Sequence, residues 1–293
     1  MTNNFDSFEI SVGEFTFDAI ACGPEEGQPV ILLHGFPQTY VAWRHVMPLL
    51  GEAGFRVIAY NQRGYSKGAR PLDTDSYSTD KLALDVIEIA NKLSFETFQL
   101  VGHDWGGAVA WLVASMYPER LQSLTSVSTP HPLAFGEAYM SSDSDQSTKS
   151  TYMQFFQQEK IPEEVLLSNN GSGLRMLFTA SGLDDNDPEI KDDIDQYISL
   201  LMEPFAMTAA LNWYRAMMHS ESILSLKPIT VPTLYVWSTE DIALGRQAAE
   251  ATGKFVSGEY KFVILEGISH WIPEQNANRL GQLLVEHFKK YGK

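Results

Sequence analysis

From residue 8 to about 130, short runs of β-branched and other apolar residues alternate with longer stretches in which apolar positions recur at helical spacing. Pro29 to His34, Arg56 to Tyr60, Phe98 to Gly102 and Leu124 to Val127 read as strands, most of them apolar on both faces; segments 39 to 51, 78 to 93 and 106 to 117 read as helices. Such alternation predicts a parallel sheet with helices on both sides. Phe8 to Val12 and Phe15 to Ala21 predict an antiparallel hairpin on its edge. The strand pattern then stops until Thr233. Helical stretches near 151 to 159, 172 to 180, 189 to 201 and 204 to 218 fill the gap, separated by Pro162, Asn170-Gly171 and Pro188. Strands resume at Thr233 to Trp237 and Tyr260 to Leu265, and a last helix is expected from Glu274 to Lys290. The predicted α/β fold is an eight-stranded, mostly parallel sheet flanked by helices, with a core of residues 1–133 and 222–293 interrupted by a helical cap at 134–221.

One turn carries chemistry. Gly102-His103-Asp104-Trp105-Gly106-Gly107 lies between the apolar run Phe98 to Val101 and the helical run Ala108 to Leu112. Glycines around a single reactive residue suit a strained strand-to-helix elbow that lifts one side chain above the sheet. The lifted residue is an aspartate, already anionic at neutral pH and able to attack an electrophilic carbon without a base to deprotonate it. Each resumed strand is followed by a partner for it, Asp241 in Ser238 to Leu244 and His270 in Gly267 to Trp271. Loops at the carboxyl ends of parallel strands line the crevice where such sheets bind ligands. The order nucleophile, acid, histidine is that of the α/β-hydrolases. In it Asp241 fixes the His270 tautomer and His270 takes a proton from water.

With His34-Gly35-Phe36-Pro37 after the third strand, the whole chain resembles the α/β-hydrolases and, within them, the epoxide hydrolases, which use an aspartate. The resemblance implies an oxyanion hole made by the backbone N–H groups of Phe36 and Trp105, and a cis bond before Pro37. It also implies two cap tyrosines that donate to the epoxide oxygen, matched here by Tyr152 and by Tyr214 in Asn212-Trp213-Tyr214-Arg215. His34, Pro37, Trp105, Phe155, Trp213 and Trp271 complete the expected pocket. The implied substrate is a small, neutral, apolar epoxide, with no cofactor and no metal.

Two other readings remain open. Haloalkane dehalogenases share the aspartate and place a Trp after it to hold the halide, so Trp105 fits both; Phe36, however, has no side-chain donor where those enzymes often carry Asn. Fluoroacetate dehalogenases usually have Arg where Trp105 stands. A non-catalytic small-molecule receptor on the same scaffold is the alternative from another class.

Composition narrows the setting. The formal charge of −16 opposes binding to nucleic acid or anionic membranes, and residues 134 to 221 hold 15 Asp and Glu against 5 Lys and Arg, or −10 of it. No apolar stretch approaches the ~20 residues that cross a bilayer. The polar start and the single Cys22 point to a cytoplasmic enzyme without internal disulfides. Oligomeric state is unreadable. His103 and His131 are expected to be hydrogen-bonded or packing residues beside the site. Met140, Met153, Met176, Met202, Met207, Met217 and Met218 are expected to line an adaptable apolar pocket.

Overall fold

The computed structural model describes residues 5–217 and 226–292. Eight strands form one sheet among these residues: β1 (Asp6–Val12), β2 (Phe15–Cys22), β3 (Gln28–Leu33), β4 (Phe55–Tyr60), β5 (Phe98–His103), β6 (Leu121–Val127), β7 (Thr233–Glu240) and β8 (Tyr260–Ser269). Their spatial order is β1-β2-β4-β3-β5-β6-β7-β8. The first two are antiparallel, as the edge hairpin required, and β3 to β8 run parallel.

Apolarity on both faces has a direct cause. Along β3, Ile31 and Leu33 pack into one core while Val30 and Leu32 pack into a second core on the opposite face. Helices α1 (Met47–Glu52), α2 (Thr79–Lys92) and α3 (Trp105–Met116) follow β3, β4 and β5 in the chain. Leu82 and Val86 of α2 and Val109 and Leu112 of α3 fill the first core; Met47 and Leu50 of α1 fill the second.

Between β6 and β7 the chain makes α4 (Pro132–Met140), α5 (Gln146–Lys149), α6 (Thr151–Phe156), α7 (Ile161–Ala180), α8 (Pro188–Leu201) and α9 (Ala206–Ala216). After β7 come α10 (Arg246–Ala251), α11 (Ile272–Gln275) and α12 (Ala277–Tyr291). Among the described residues no helix is long and apolar enough to cross a membrane.

Several expected boundaries change. Segment 39 to 51 is a short 3-10 turn, Tyr40–Trp43, followed by α1, because Thr39 caps the turn and Pro48 is tolerated only in a first helical turn. The expected helix at 172 to 180 is the second half of α7. Its backbone breaks at Ser168 to Gly171, where Asn169, Asn170 and Gly171 all take positive φ. Pro162 therefore starts a helix instead of separating two. The helix expected at 204 to 218 begins after Phe205, whose φ of 64° is left-handed; position 218 lies outside the described residues. The last helix is divided at Asn276 into α11 and α12.

Candidate active site

Asp104 occupies the turn from β5 to α3 with φ 51° and ψ −120°, a conformation that costs an L-residue free energy and persists only where its surroundings fix it. The surroundings do so. The Thr129 hydroxyl donates to the Asp104 carbonyl at 2.7 Å, which also accepts the Ala108 N–H at 3.1 Å. A Cβ at Gly106 would overlap the Leu33 carbonyl, and one at Gly35 would overlap the Asp104 side chain; both glycines are what let the elbow and the loop after β3 meet. The Phe36 N–H then donates to Asp104 Oδ1 at 2.7 Å, and the Phe36-Pro37 bond is cis.

The other carboxylate oxygen faces His270. Its Nε2 lies 3.5 Å from Asp104 Oδ2, and its Nδ1 lies 2.8 Å from Asp241 Oδ2. Asp241, buried at the end of β7, accepts the Ala243 and Leu244 N–H groups on its remaining oxygen at 2.8 and 2.9 Å. The Ser238 hydroxyl ties the end of β7 to the Ser269 carbonyl, which sets the spacing of the two loops.

Electrostatics follow from this packing. Burial disfavours the His270 cation, but Asp241 and then Asp104 outweigh it and lift the imidazole to about 10. Burial likewise raises the Asp104 carboxyl, and contact with His270 and the Phe36 N–H more than offsets it, leaving Asp104 below the ordinary carboxylate range. At neutral pH the resting pair is an aspartate anion beside a histidine cation.

Two cavities meet at Asp104. One, about 180 Å³, reaches past Phe156, Leu177 and Ile242; the other, about 230 Å³, reaches past Phe135, Met153 and Met217. Asp104, Tyr152 and Tyr214 line both. The tyrosine rings lie 6.2 Å apart and nearly perpendicular. Burial, with the Asp104 charge adding to it, holds both phenols well above their ordinary pKa, so each keeps its proton. The Trp105 indole sits edge-on against Tyr214, with ring centroids 5.1 Å apart.

Of the expected pocket residues, Trp105 and Trp271 line the cavities, whereas His34, Pro37, Phe155 and Trp213 stand behind the walls. His34 is fully buried and held by Gly35 and Gln62, and burial drops it to about 4. Trp213 is turned to donate to the Arg63 carbonyl. Phe155 packs on Phe156, one helical step further round α6, and Phe156 faces the cavity instead. Of the methionines, Met153 and Met217 line a cavity, Met140, Met176 and Met202 are exposed, Met207 is buried, and Met218 lies outside the described residues. His103 is buried and hydrogen-bonded beside the site, and His131 stacks on Phe255. Leu177 and Ile242 went unseen in the sequence because nothing local marks an apolar residue as facing a cavity.

Comparison with known proteins agrees with this fold. The α/β-hydrolase fold family matches residues 28–277. The AB hydrolase superfamily protein YfhM of Bacillus subtilis is 36% identical over 284 residues, covering 96% of each chain. Epoxide hydrolase 4 of Mus musculus is 33% identical over 280 residues, covering 94% of this chain and 76% of that one. A solved structure of an epoxide hydrolase from metagenomes of hot environments superposes with a TM-score of 0.84 at 26% identity, over 97% of this chain and 99% of the other. The chain thus belongs to the α/β-hydrolase fold family, on the branch that carries the named epoxide hydrolases.

Proposed function

We propose that this protein hydrolyses an epoxide to a vicinal diol through an ester on Asp104. The observation that carries this reading is the meeting, at the junction of two apolar cavities, of an ionised carboxylate with two protonated tyrosines, backed by a histidine between two acids.

In the first step Asp104 Oδ2 attacks a ring carbon, the C–O bond of the epoxide breaks, and Tyr152 and Tyr214 donate to the departing oxygen. The alkoxide takes up one proton, which the His270 cation makes good through the tyrosines and solvent. Forming the ester erases the Asp104 charge, and with it one of the two anions that hold the His270 proton. His270 becomes a base at the moment a base is needed. In the second step neutral His270 takes a proton from water, the hydroxide adds to the ester carbonyl, and the N–H groups of Phe36 and Trp105 hold the oxyanion. Collapse releases the diol and returns the Asp104 anion and the His270 cation.

Residues 134–221 serve in this reading as the cap, since Tyr152, Leu177 and Tyr214 reach the cavities from it. The apolar walls favour a neutral, apolar substrate. The lone Cys22 supports a reducing, cytoplasmic setting. Halide binding is the weaker reading, because Phe36 brings no side-chain donor to join the Trp105 indole N–H.

The test is the mass of the Asp104-containing peptide from His270→Gln enzyme after separate exposure to an aryl epoxide and to a bromoalkane. Gain of the whole epoxide mass, with Asp104→Ala inert, is the expected outcome. Gain of only the alkyl group with bromide released would establish dehalogenation instead, and no adduct from either would leave the receptor reading.

A further inference from the structure

A chain of buried polar groups outside the reacting residues runs from His270 to the inserted helices. His103 Nε2 lies 2.9 Å from the His270 carbonyl oxygen and Nδ1 lies 2.8 Å from Gln38 Oε1. Gln38 Oε1 also accepts the Gly35 N–H at 3.2 Å, and Gln38 Nε2 lies 2.6 Å from Glu274 Oε1. Tyr197, on α8, donates its hydroxyl to that same Glu274 oxygen at 2.9 Å. All of these side chains are buried, and Glu274 Oε2 has no hydrogen-bond partner among the described residues.

Proton counting shows why the carboxyl matters. His103 faces an oxygen atom with each ring nitrogen, yet a neutral imidazole has one N–H. Both contacts are satisfied if His103 carries two protons and Glu274 is an anion. The His103 contacts are also satisfied if His103 carries one and Gln38 turns its amide to donate to Nδ1, which places Gln38 oxygen against a protonated Glu274 but takes the acceptor from the Gly35 N–H. The two arrangements hold the same proton and the same net charge. Burial, which drops His103 to about 3 and raises the Glu274 carboxyl, favours the second, whereas the bond from the Gly35 N–H to Gln38 favours the first. In either one Glu274 completes the chain, and an apolar residue in its place leaves Gln38 and Tyr197 buried with unpaired groups.

We propose that Glu274 is a positioning residue: through Gln38 it sets the Gly35-Phe36 turn that carries the oxyanion donor, through His103 it sets the His270 main chain, and through Tyr197 it makes both depend on the seating of α8. This rests on the epoxide hydrolase reading for its kinetic consequence, and on geometry alone for its structural one. The kinetic consequence is specific. The Phe36 N–H stabilises Asp104 while it is still an anion, so misplacing it does not slow attack on the epoxide. The oxyanion formed when water adds to the ester needs that donor fully, so ester hydrolysis suffers.

The experiment compares wild type, Glu274→Ala and Glu274→Gln by amide hydrogen exchange and by single-turnover formation and decay of the Asp104 ester from an aryl epoxide. Glu274→Ala is expected to speed exchange at Gly35 and Phe36 and in the turn of α8 around Tyr197. It is also expected to slow ester decay about 100-fold while ester formation changes far less. Glu274→Gln keeps an acceptor and a donor at the same point and is expected to restore both. Should Glu274→Ala fail to fold, Gln38→Met cuts the same chain one link away and is expected to give the same split. Wild-type exchange and wild-type decay in the variant that folds would overturn the proposal. So would exchange raised evenly through the whole fold with both steps slowed alike, since that describes a merely structural residue. If wild type forms no ester, the epoxide reading fails, and exchange at Gly35 and Phe36 still decides the positioning role.

Discussion

His270 reaches Asp104 at 3.5 Å through Nε2 while Nδ1 holds Asp241 at 2.8 Å, so one imidazole bridges two carboxylates. Burial opposes its charge, and the two acids prevail. Because His270 titrates at about 10 in the fold, above the ordinary value near 6.5, its contribution to stability is complete below ~6.5 and is lost as pH rises through about 10. Asp104, held below its ordinary range, contributes at neutral pH and loses its share as pH falls through that lowered value. Asp104→Asn removes one of the two anions and mimics the charge of the ester. The His270 titration should move down from its wild-type position, toward a base usable at neutral pH. Histidine NMR against pH measures this, and an unmoved titration would break the link between ester formation and base generation.

Tyr152→Phe and Tyr214→Phe each remove one donor from the point where the epoxide oxygen would lie. Each is expected to slow ester formation about 100-fold, the scale of one preorganised donor elsewhere, with ester decay little changed. Rapid-quench measurement of the burst separates the two steps. A burst at wild-type rate in the double variant would remove the tyrosines from the mechanism.

Legibility in the sequence followed how local each signal is. The elbow was readable because Gly102, Gly106 and Gly107 surround Asp104 within six residues, and the positive φ they accommodate is present. Asp241 and His270 were readable because each follows an apolar strand run. The edge hairpin and the parallel order followed from apolar periodicity. The cavity walls did not, since Phe155 and Phe156 are indistinguishable until the helix phase of α6 is known. The chain from His103 through Gln38 to Glu274 was invisible for a different reason: its links are 65 and 236 residues apart, and no spacing rule reaches that far. The break in α7 was visible as Asn170-Gly171, but the helical turns before it were not, because Pro162 reads as readily as a stop as a start.

Arg63, in the loop after β4, binds both oxygens of Asp85 on α2, at 2.8 Å through Nε and 2.6 Å through Nη2, and both side chains are buried. Truncating one partner leaves the other charge buried and unpaired. Asp85→Ala is expected to cost about 3 to 5 kcal/mol, while the apolar double variant Arg63→Met, Asp85→Leu should recover much of that. The damage should also reach the site, because Trp213 donates to the Arg63 carbonyl at 3.0 Å and is the neighbour of Tyr214 on α9. Urea unfolding with single-turnover kinetics checks both, and a cost within ~0.5 kcal/mol would mean the pair acts like an ordinary surface one.

The two cavities that meet at Asp104 make a statement about substrate shape. An epoxide held with its oxygen at Tyr152 and Tyr214 has two ring carbons beside Asp104, and a substituent on each can enter a separate cavity. A terminal epoxide leaves one of them unfilled, whereas a trans-1,2-disubstituted epoxide occupies both. Each methylene buried should contribute ~0.8 kcal/mol, so kcat/KM should rise about fourfold per methylene on either arm until that arm is full. The arms should also be separable. Leu177→Trp narrows one cavity and Met153→Trp the other, and each is expected to shorten the chain tolerated on its own side only. Asymmetric epoxides opened over many turnovers in ¹⁸O-labelled water, in which Asp104 takes up the label and passes it to the diol, report which carbon was attacked, so the two variants should move regiochemistry in opposite directions. Equal turnover of terminal and disubstituted epoxides of the same carbon count, with both variants changing regiochemistry alike, would mean that only one cavity receives substrate.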